Sequence, residues 1–396
     1  MPGLGALLWA ALVAACSHGE SVTGPVIPPP DSRIVQVAQV PVPANYSQHD
    51  QFVRAGLAFL ASWNTGLQIY DVGDGRAGGS PSNPQFIGRV VTTGGAVHNA
   101  WWYWSPTGAK RYVFVGQEGP GSIGASSSGD IHVVDVSTMS APVEVASYHM
   151  SGAGAHNFWV DEANQILYSA FYNGGVVALD VSGTLSGDLS SREIARIAPG
   201  GAGDTYTWGV MLSGGSLYAI DMLSGLWQLR LAGTSFQVLG GGNNVPERYS
   251  SDFWVSGGYV YSGTFPGRGS NPGNALKVWK LDAGGAPVLF DSIVTAGVNL
   301  VSDVEVTADG RMLMFSTQYG PGAGIYFYGL VTDPGHPAFI GYFPVTANGQ
   351  AGIHTTTFSD IGGRRYVFAA KYPNASGGTD PVAPAMIVLD VTAISP

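Results

Sequence analysis

Residues 155–183 have the sequence AHNFWVDEANQILYSAFYNGGVVALDVSG, and this stretch shows most clearly the pattern from which the fold is predicted. A polar residue opens an alternating hydrophobic run, a second apolar run follows, and a third ends in aspartate at Asp180. Short runs with a period of two, separated by turns that contain Asn and Gly, indicate β-strands joined by tight turns. The stretch is therefore predicted to form three consecutive antiparallel strands.

The same pattern recurs along the chain at intervals of about fifty residues, with a fourth apolar run completing most repeats. A repeat of this length with four short strands is typical of a β-propeller blade. The sequence therefore predicts an all-β fold, a single seven-bladed β-propeller. Because the first strand of each blade lines the central channel, the residues that open the blades are expected to form a ring at one mouth. These residues are His49, His98, His156, Trp208, Asp252, Asp303 and His354.

The two ends of the chain predict how the ring closes. The last repeat stops soon after Val391, so it has only three strands of its own. Residues 34–40, IVQVAQV, precede the first repeat and have the pattern of the missing fourth strand. We expect this N-terminal strand to complete the last blade, which removes the unpaired edges of an open ring.

Composition agrees with a fold of many short strands and limits the class of partner. The 396 residues include 58 Gly and 25 Pro, only 11% are charged, and the formal net charge is −10. An acidic surface of this kind disfavours nucleic acid, because phosphate backbones are bound by cationic faces. We expect a monomer, since the ring is closed within one chain.

The N-terminus predicts export and a lipid anchor. Residues 1–16 form an apolar stretch too short to span a bilayer, ending in small residues before Cys16, the single cysteine. This arrangement is similar to a bacterial lipoprotein signal, although no Lys or Arg precedes the apolar run. An ordinary secretory signal is the alternative. Residues 17–33 are polar and Pro-rich, typical of a tether, and residues 34–396 form the propeller. The predicted location is extracytoplasmic, with membrane contact through the lipid only.

The repeats resemble a known family. The third runs end in aspartate at Asp71, Asp135, Asp180 and Asp390, and Pro-containing links follow in SNPQFIG and SAPVEVA. These features, with the stretch at 155–183, resemble the LVIVD-repeat proteins. Blades 1, 2, 3 and 7 carry the resemblance, whereas blades 4 to 6 lack the final aspartate. The resemblance implies a bacterial extracytoplasmic, surface-anchored β-propeller and specifies no activity.

The four histidines in the ring have two interpretations. Neutral imidazole is a common ligand of transition metals, so His49, His98, His156 and His354 could hold Zn, Cu or Fe at the channel mouth. Alternatively, each ring hydrogen-bonds a backbone group of the next blade. Repetition in register favours this second interpretation, because a packing role recurs in every repeat. No cofactor is certain.

Other side chains are expected on the same face as the histidines. Four long loops between second and third strands surround this mouth, at 119–130, 265–274, 319–324 and 372–384. The predicted ligand-binding face comprises Trp208, Asp252, Asp303, Glu118, Asn173, Gln318 and Lys371. Catalytic residues stay unknown, since no P-loop, nucleophile elbow or zinc-protease motif is present.

Three functions remain open from sequence. The first is a binding or interaction module that uses the His-bearing face, with a small molecule, glycan or surface protein as partner. The second is a metal-dependent oxidoreductase. The third is a carbohydrate-binding surface protein, based on the aromatic run from Trp101 to Trp104.

Overall fold

The computed structural model describes residues 25–41, 48–119, 121–243, 245–345, 352–372 and 385–396. Its strands form seven sheets arranged as the blades of a β-propeller, as predicted. The helical elements among the described residues are two short 3-10 turns, Ser190–Arg192 and Thr392–Ile394. No helix in the described part of the chain is long and apolar enough to cross a bilayer. Cys16 and residues 17–24 lie outside the described residues.

Strand order within each blade follows the chain from the channel outward. The first strands, which line the channel, are β2 (Asp50–Arg54), β6 (Val97–Tyr103), β10 (Phe158–Asp161), β15 (Thr207–Ser213), β19 (Tyr249–Ser256), β23 (Leu300–Val306) and β27 (Gly352–Ile361). The second strands are β3 (Leu57–Ala61), β7 (Tyr112–Gln117), β11 (Ile166–Ala170), β16 (Ser216–Asp221), β20 (Tyr259–Phe265), β24 (Met312–Gln318) and β28 (Arg364–Tyr372).

The outer half of each blade contains the third and fourth strands. The third strands are β4 (Leu67–Asp71), β8 (Ile131–Asp135), β12 (Val176–Asp180), β17 (Gly225–Ala232), β21 (Ala275–Leu281), β25 (Gly324–Gly329) and β29 (Ala385–Asp390). The fourth strands are β5 (Gln85–Val90), β9 (Val143–Tyr148), β14 (Glu193–Ile197), β18 (Ser235–Asn243), β22 (Pro287–Val294), β26 (Ala338–Pro344) and, for the last blade, β1 (Val35–Pro41). A two-residue strand, β13 (Gly187–Asp188), adds in parallel to β9.

The ring closes in the way the sequence predicts. Strand β1 pairs antiparallel with β29, with Val35 opposite Asp390 and Val40 opposite Met386. Each first strand also contacts the first strands of both neighbouring blades, including β2 against β27. The N-terminal strand therefore gives the last blade its fourth strand, and the seven first strands enclose one channel.

Burial explains which strands are apolar on both sides. Second and third strands are covered by the adjacent blades on both faces, so β3 (Leu57–Ala61) is completely buried. Fourth strands form the rim, and Phe86, Val143 and Leu289 on them are exposed. The core consequently lies in the layers between blades, where apolar side chains of neighbouring sheets interlock.

The aspartate that ends several third strands has a structural role. The Oδ1 atom of Asp71 accepts hydrogen bonds from the backbone N–H groups of Gly73, Asp74 and Gly75. Asp135, Asp180 and Asp390 each accept one from the residue two positions later. In blades 1 to 3 these bonds form Asx turns that direct the chain toward the fourth strand, whereas the turn at Asp390 leads into the C-terminal residues. The repeated aspartate thus shapes the link between strands at the rim, away from the channel.

Residues at the end of the predicted tether contact the propeller. The Asp31 N–H donates to the carbonyl oxygen of Tyr342, and the Arg33 guanidinium donates to that of Ile340. Asp31 and Arg33 also form an ion pair at 2.6 Å. The chain therefore approaches β1 along the outer strand of blade 6.

Candidate functional site

Five of the seven predicted opening residues form a continuous arc of rings. The His49 ring lies 4.1 Å from His354 and 4.2 Å from His98 between centroids. His156 continues the arc at 4.2 Å from His98, and Trp208 follows at 4.2 Å from His156. The structure therefore brings the four histidines and Trp208 together in the order of blades 7, 1, 2, 3 and 4.

Most side chains at this level hydrogen-bond the next blade. His49 Nδ1 donates to the carbonyl oxygen of His98 at 3.1 Å, and His156 Nδ1 donates to that of Trp208. Since a carbonyl oxygen only accepts, Nδ1 carries the proton, and the neutral ring then has its lone pair on Nε2. His354 differs, since its Nδ1 faces the side-chain Oε1 of Gln318 in the preceding blade, blade 6.

Blades 5, 6 and 7 use hydroxyl groups for this contact. Ser251 donates to the carbonyl oxygen of Val301, and Ser302 donates to that of Ile353. Thr355 Oγ1 donates to the carbonyl oxygen of His49 at 2.7 Å and so links blade 7 to blade 1. A side chain of one blade thus bonds the backbone of the next at five of the seven interfaces.

His98 departs furthest from this pattern. Among the described residues, neither of its ring nitrogens makes a hydrogen bond of standard geometry, although the neighbouring Asn99 amide interacts with the ring. The side chain is buried. Buried polar atoms normally have partners, so an imidazole without any is an exception that needs a functional or chemical reason.

Glu118 lies directly beside this exception. Its Oε2 atom is 3.7 Å from Nε2 of both His49 and His98, and its Oε1 accepts a hydrogen bond from the Tyr172 hydroxyl at 2.6 Å. One potential ligand atom from each of His49, His98 and Glu118 lies within 4.8 Å of the other two. His156 and His354 stand outside this group of three.

Burial controls the charges of these residues. It raises the pKa of Glu118 to about 7, partly offset by the Tyr172 hydrogen bond. Burial also lowers the pKa of His156 to about 3 and that of His354 to about 4. The pKa values of His49 and His98 fall well below normal through burial and the neighbouring imidazoles. The histidines are therefore neutral at pH 7, the form that ligates metals.

A cavity of about 240 Å³ lies above the arc of rings. We call it the His-side cavity. Its polar lining includes His49, His156, His354 and Glu118, and its aromatic lining is Tyr172, Tyr206, Trp208, Phe265 and Tyr319. Ile123 from the loop at 119–130 also contributes. Three of the four predicted long loops thus reach this mouth, and most of the fourth, at 372–384, lies outside the described residues.

Asp252 and Asp303 do not lie with the histidines. Both line a different cavity, of about 300 Å³, that shares no lining residue with the His-side cavity. The positions that match the histidines in blades 5 and 6 are Ser251 and Ser302, one residue earlier. Because side chains alternate along a strand and these strands are bulged near this point, a shift of one residue moves the side chain to another level of the channel.

The other predicted residues of the face have separate positions. Gln318 lines the His-side cavity beside His354. Asn173 accepts hydrogen bonds from the Ser127 N–H and hydroxyl, so it holds the loop at 119–130. Lys371 is buried in β28, opposite Ile353, and lines neither cavity.

Sequence reasoning did not identify several residues of the channel. Asp50 and Glu305 line the second cavity, and Tyr172 and Tyr206 line the first. The sequence does contain an indication of Asp50. It directly follows His49, just as Asp252 follows Ser251 and Asp303 follows Ser302. Tyr206 and Tyr172 lie in connections between strands, where periodicity gives no orientation.

Two segments of the chain match the LVIVD repeat, residues 125–150 and residues 247–265. The chain carries LVIVD repeats. The first segment covers the third and fourth strands of blade 2, where the sequence resemblance lies. The second covers the first two strands of blade 5, a blade in which that resemblance is weak. No curated protein matches the sequence.

Solved structures with this fold are distant in sequence. Chaetomium thermophilum Sqt1, bound to the N-terminus of the ribosomal protein L10, is 13% identical with a TM-score of 0.59, over 85% of this chain and 81% of that one. The Cps50 (Swd1) β-propeller domain of Myceliophteria thermophila is 15% identical with a TM-score of 0.48, over 70% and 80% of the two chains. The likeness to Sqt1 shows the propeller fold alone.

Proposed function

We propose that this LVIVD-repeat protein is an extracytoplasmic, lipid-anchored binding module that takes a small polar ligand into the His-side cavity. A propeller with long loops at one mouth suits this role, because the ring is rigid and the loops supply contacts. Sqt1 offers a precedent for a propeller that binds another molecule. The expected anchor is the Cys16 lipid, which would leave this face free to meet a ligand outside the cytoplasm.

The observation that carries the proposal is the position of Glu118. Its Oε2 atom lies 3.7 Å from Nε2 of two neutral imidazoles, a distance too long for a hydrogen bond, and one of the two, His49, lines the cavity with it. A buried acidic group with a raised pKa in a concave site is typical of a binding or catalytic centre. A ligand that donates an N–H or O–H to Glu118 and stacks on Trp208 or Tyr206 would satisfy both parts of the cavity.

Fluorine NMR of the full chain labelled with 5-fluorotryptophan tests this proposal. The Trp208→Phe and Trp227→Phe variants assign the signal of a tryptophan in the His-side cavity and that of one outside it. In a screen of small polar aromatic fragments, we expect hits that shift the Trp208 signal and leave that of Trp227, on the third strand of blade 4, unchanged. Hits that all leave the Trp208 signal unshifted would contradict the proposal.

A metal-dependent enzyme is the second candidate, favoured by the buried ring of His98, whose nitrogens make no hydrogen bond of standard geometry among the described residues. Two imidazoles and a carboxylate form a donor set used for Zn and non-haem Fe(II). Ligand atoms about 2.1 Å from a common metal lie at most about 4.2 Å apart. Oε2 of Glu118 is already within this limit of Nε2 of His49 and of His98, at 3.7 Å from each. The metal would act as a Lewis acid or redox centre on a ligand in the His-side cavity.

Cobalt(II) titration of the full chain distinguishes the two candidates. The enzyme hypothesis expects one equivalent bound, with the visible absorption of a low-symmetry site. His98→Ala should abolish this binding. His149→Ala is the matched control, because His149 is exposed and pairs with Asp130 outside the cavity. No bound cobalt, or equal binding by the His98 variant, would leave only the binding module.

A further inference from the structure

The second cavity, at the other level of the channel, has a distinct composition. We call it the carboxylate cavity. It occupies about 300 Å³ between the first strands and is lined by four acidic side chains, Asp50, Asp252, Asp303 and Glu305. No Lys, Arg or His belongs to its described lining. Arg54, which follows the lining residue Val53, forms an ion pair with Glu162 at 2.6 Å and lies over Trp104, so its charge is already matched.

Backbone and amide groups hold the carboxylates in place without neutralising them. Thr356 donates its N–H and hydroxyl to Asp303 Oδ2, and the Phe358 N–H donates to Glu305 Oε2 at 3.1 Å. Asn157 donates to Asp252 Oδ1 at 3.2 Å. Thr356 and Phe358 come from the first strand of the next blade, and Asn157 reaches Asp252 from blade 3, two blades away, so the acidic groups are fixed where they line the cavity.

Four acidic groups so close together repel one another. Burial raises the pKa of Asp50 to about 7, with the Asp303 charge adding to the effect. The pKa values of Asp252 and Glu305 lie well above normal because of burial and Asp303. Asp252 and Asp303 also hydrogen-bond each other, which requires a proton between them. A bound cation would take the place of that proton and relieve the repulsion.

The aromatic wall of the cavity specifies what kind of cation fits. Phe52, Trp101, Trp159 and Trp254 follow one another around the ring, with centroids 5.1, 5.1 and 6.0 Å apart. All four are partly exposed. Aromatic faces attract organic cations through the ring quadrupole, and Trp does so most strongly. A bare metal ion would make no use of these rings.

The buried side-chain amide of Gln51 indicates independently that the cavity lacks a hydrogen-bond donor. Gln51 lines the same cavity, is 3% exposed, and has no hydrogen-bond partner for its Oε1 atom among the described residues. Its Nε2 donates to Thr355 at 3.3 Å, which fixes the amide orientation. An unpaired buried acceptor costs free energy unless a ligand or water donates to it. Together with the carboxylates, it favours a ligand with N–H donors.

We propose that the carboxylate cavity binds a small protonated amine, with its ammonium group among Asp252, Asp303 and Glu305 and its carbon chain against the tryptophans. This ligand differs in chemistry and position from the one proposed for the His-side cavity. The two proposals are therefore independent.

Calorimetric titration of the full chain with n-pentylammonium, followed in parallel by tryptophan fluorescence, tests the site. We expect saturable binding and a change in emission, with at least tenfold weaker binding of the neutral isostere 1-pentanol. Asp303→Asn should weaken amine binding at least tenfold, and Trp159→Phe should weaken it and reduce the emission change. Trp227→Phe is the matched control, since Trp227 lies outside the cavity and should leave the affinity unchanged.

Several results would overturn the proposal. These are equal affinity for 1-pentanol, unchanged amine binding in Asp303→Asn, or tighter binding of methyl glucoside than of the amine. Asp303→Asn removes like-charge repulsion, so its folding should be preserved, and circular dichroism checks this. Binding by the Glu118→Gln variant should equal that of the wild type, which separates this site from the His-side cavity.

Discussion

The ring of His49 donates a hydrogen bond through Nδ1 to the backbone oxygen of His98, at 3.1 Å, and so ties blade 1 to blade 2. His156, Ser251, Ser302 and Thr355 make the corresponding bond at four other blade interfaces. The sequence predicts a metal ligand at this position, but in much of the ring the position instead bonds the backbone of the next blade. His98 and His354 do not make this bond, and His98 is set apart as a functional candidate because neither of its ring nitrogens has a hydrogen bond of standard geometry among the described residues.

Loss of one such bond should destabilise the ring measurably. Thr355→Val removes the bond to the carbonyl oxygen of His49, together with the acceptor of the Gln51 amide, with little change in volume. We expect the free energy of unfolding to fall by about 1–2 kcal/mol, because a buried hydrogen bond is lost and its acceptor is left unpaired. Denaturant unfolding measures this. Thr107→Val, at an exposed turn, is the control, and an equal loss in both variants would contradict the role of the bond.

The sequence predicted the fold more fully than the site, for reasons that particular residues illustrate. The period of alternation and the unmatched strand at 34–40 depend only on local pattern, and both the blades and the closure are confirmed. Asp252 was assigned to the level of His49, whereas Ser251 occupies it. The motifs HNFWV at 156–160 and SDFWV at 251–255 align Ser251 with His156, so the error lay in choosing the charged residue of the pair as the opening residue.

Residues from connections were harder still to place. Glu118 was recognised as facing the mouth, but its contact with His49 and His98 depends on the spacing between blades. The pairing of Asp50 with Asp303 around the channel likewise joins residues far apart in sequence. Such juxtapositions arise from closure of the ring.

Deletion of residues 34–40 should have a large effect on stability. It removes nearly all of β1 and exposes the edge of β29, whose residues are buried. We expect the free energy of unfolding to fall by several kcal/mol, on the scale of a whole domain's stability. Thermal melting measures the change. Val35→Ser alters an exposed residue of β1 and should be nearly neutral. A melting temperature unaffected by the deletion would refute closure by this strand.

The pH dependence of stability should change in Glu118→Gln. The pKa of Glu118 is about 7 in the folded protein and normally 4.5, so the folded state binds more protons between these values. Wild-type stability contributed by this group is therefore present below pH 4.5 and is lost as the pH rises through 7. Glu118→Gln has no carboxyl group at this position, so its stability does not fall for this reason as the pH rises.

The stability of Glu118→Gln relative to wild type should consequently increase from pH 4.5 to pH 8. A full shift would correspond to about 3 kcal/mol. We expect about 1–2 kcal/mol, because 25% of the Glu118 side chain is exposed and solvent screens its charge. Urea unfolding of both proteins across this range measures the difference, and a difference independent of pH would show that Glu118 titrates normally.

The proposed lipid anchor is tested at Cys16. Cys16→Ser should move the protein from the membrane fraction to the soluble fraction, since buried acyl chains contribute about 0.8 kcal/mol per CH₂. Cell fractionation and mass spectrometry of the mature N-terminus measure this, with Ser17→Ala as the control. Membrane retention of the serine variant would exclude lipoprotein processing.

The affinity of the tightest fragment found for the His-side cavity tests whether Glu118 binds the ligand. Its dissociation constant is measured by calorimetry for wild type, Glu118→Gln and the control Trp227→Phe. We predict that Glu118→Gln binds the fragment at least tenfold more weakly than the wild type. Trp227→Phe should bind it as tightly as the wild type. An affinity that is the same in all three proteins would contradict binding at Glu118.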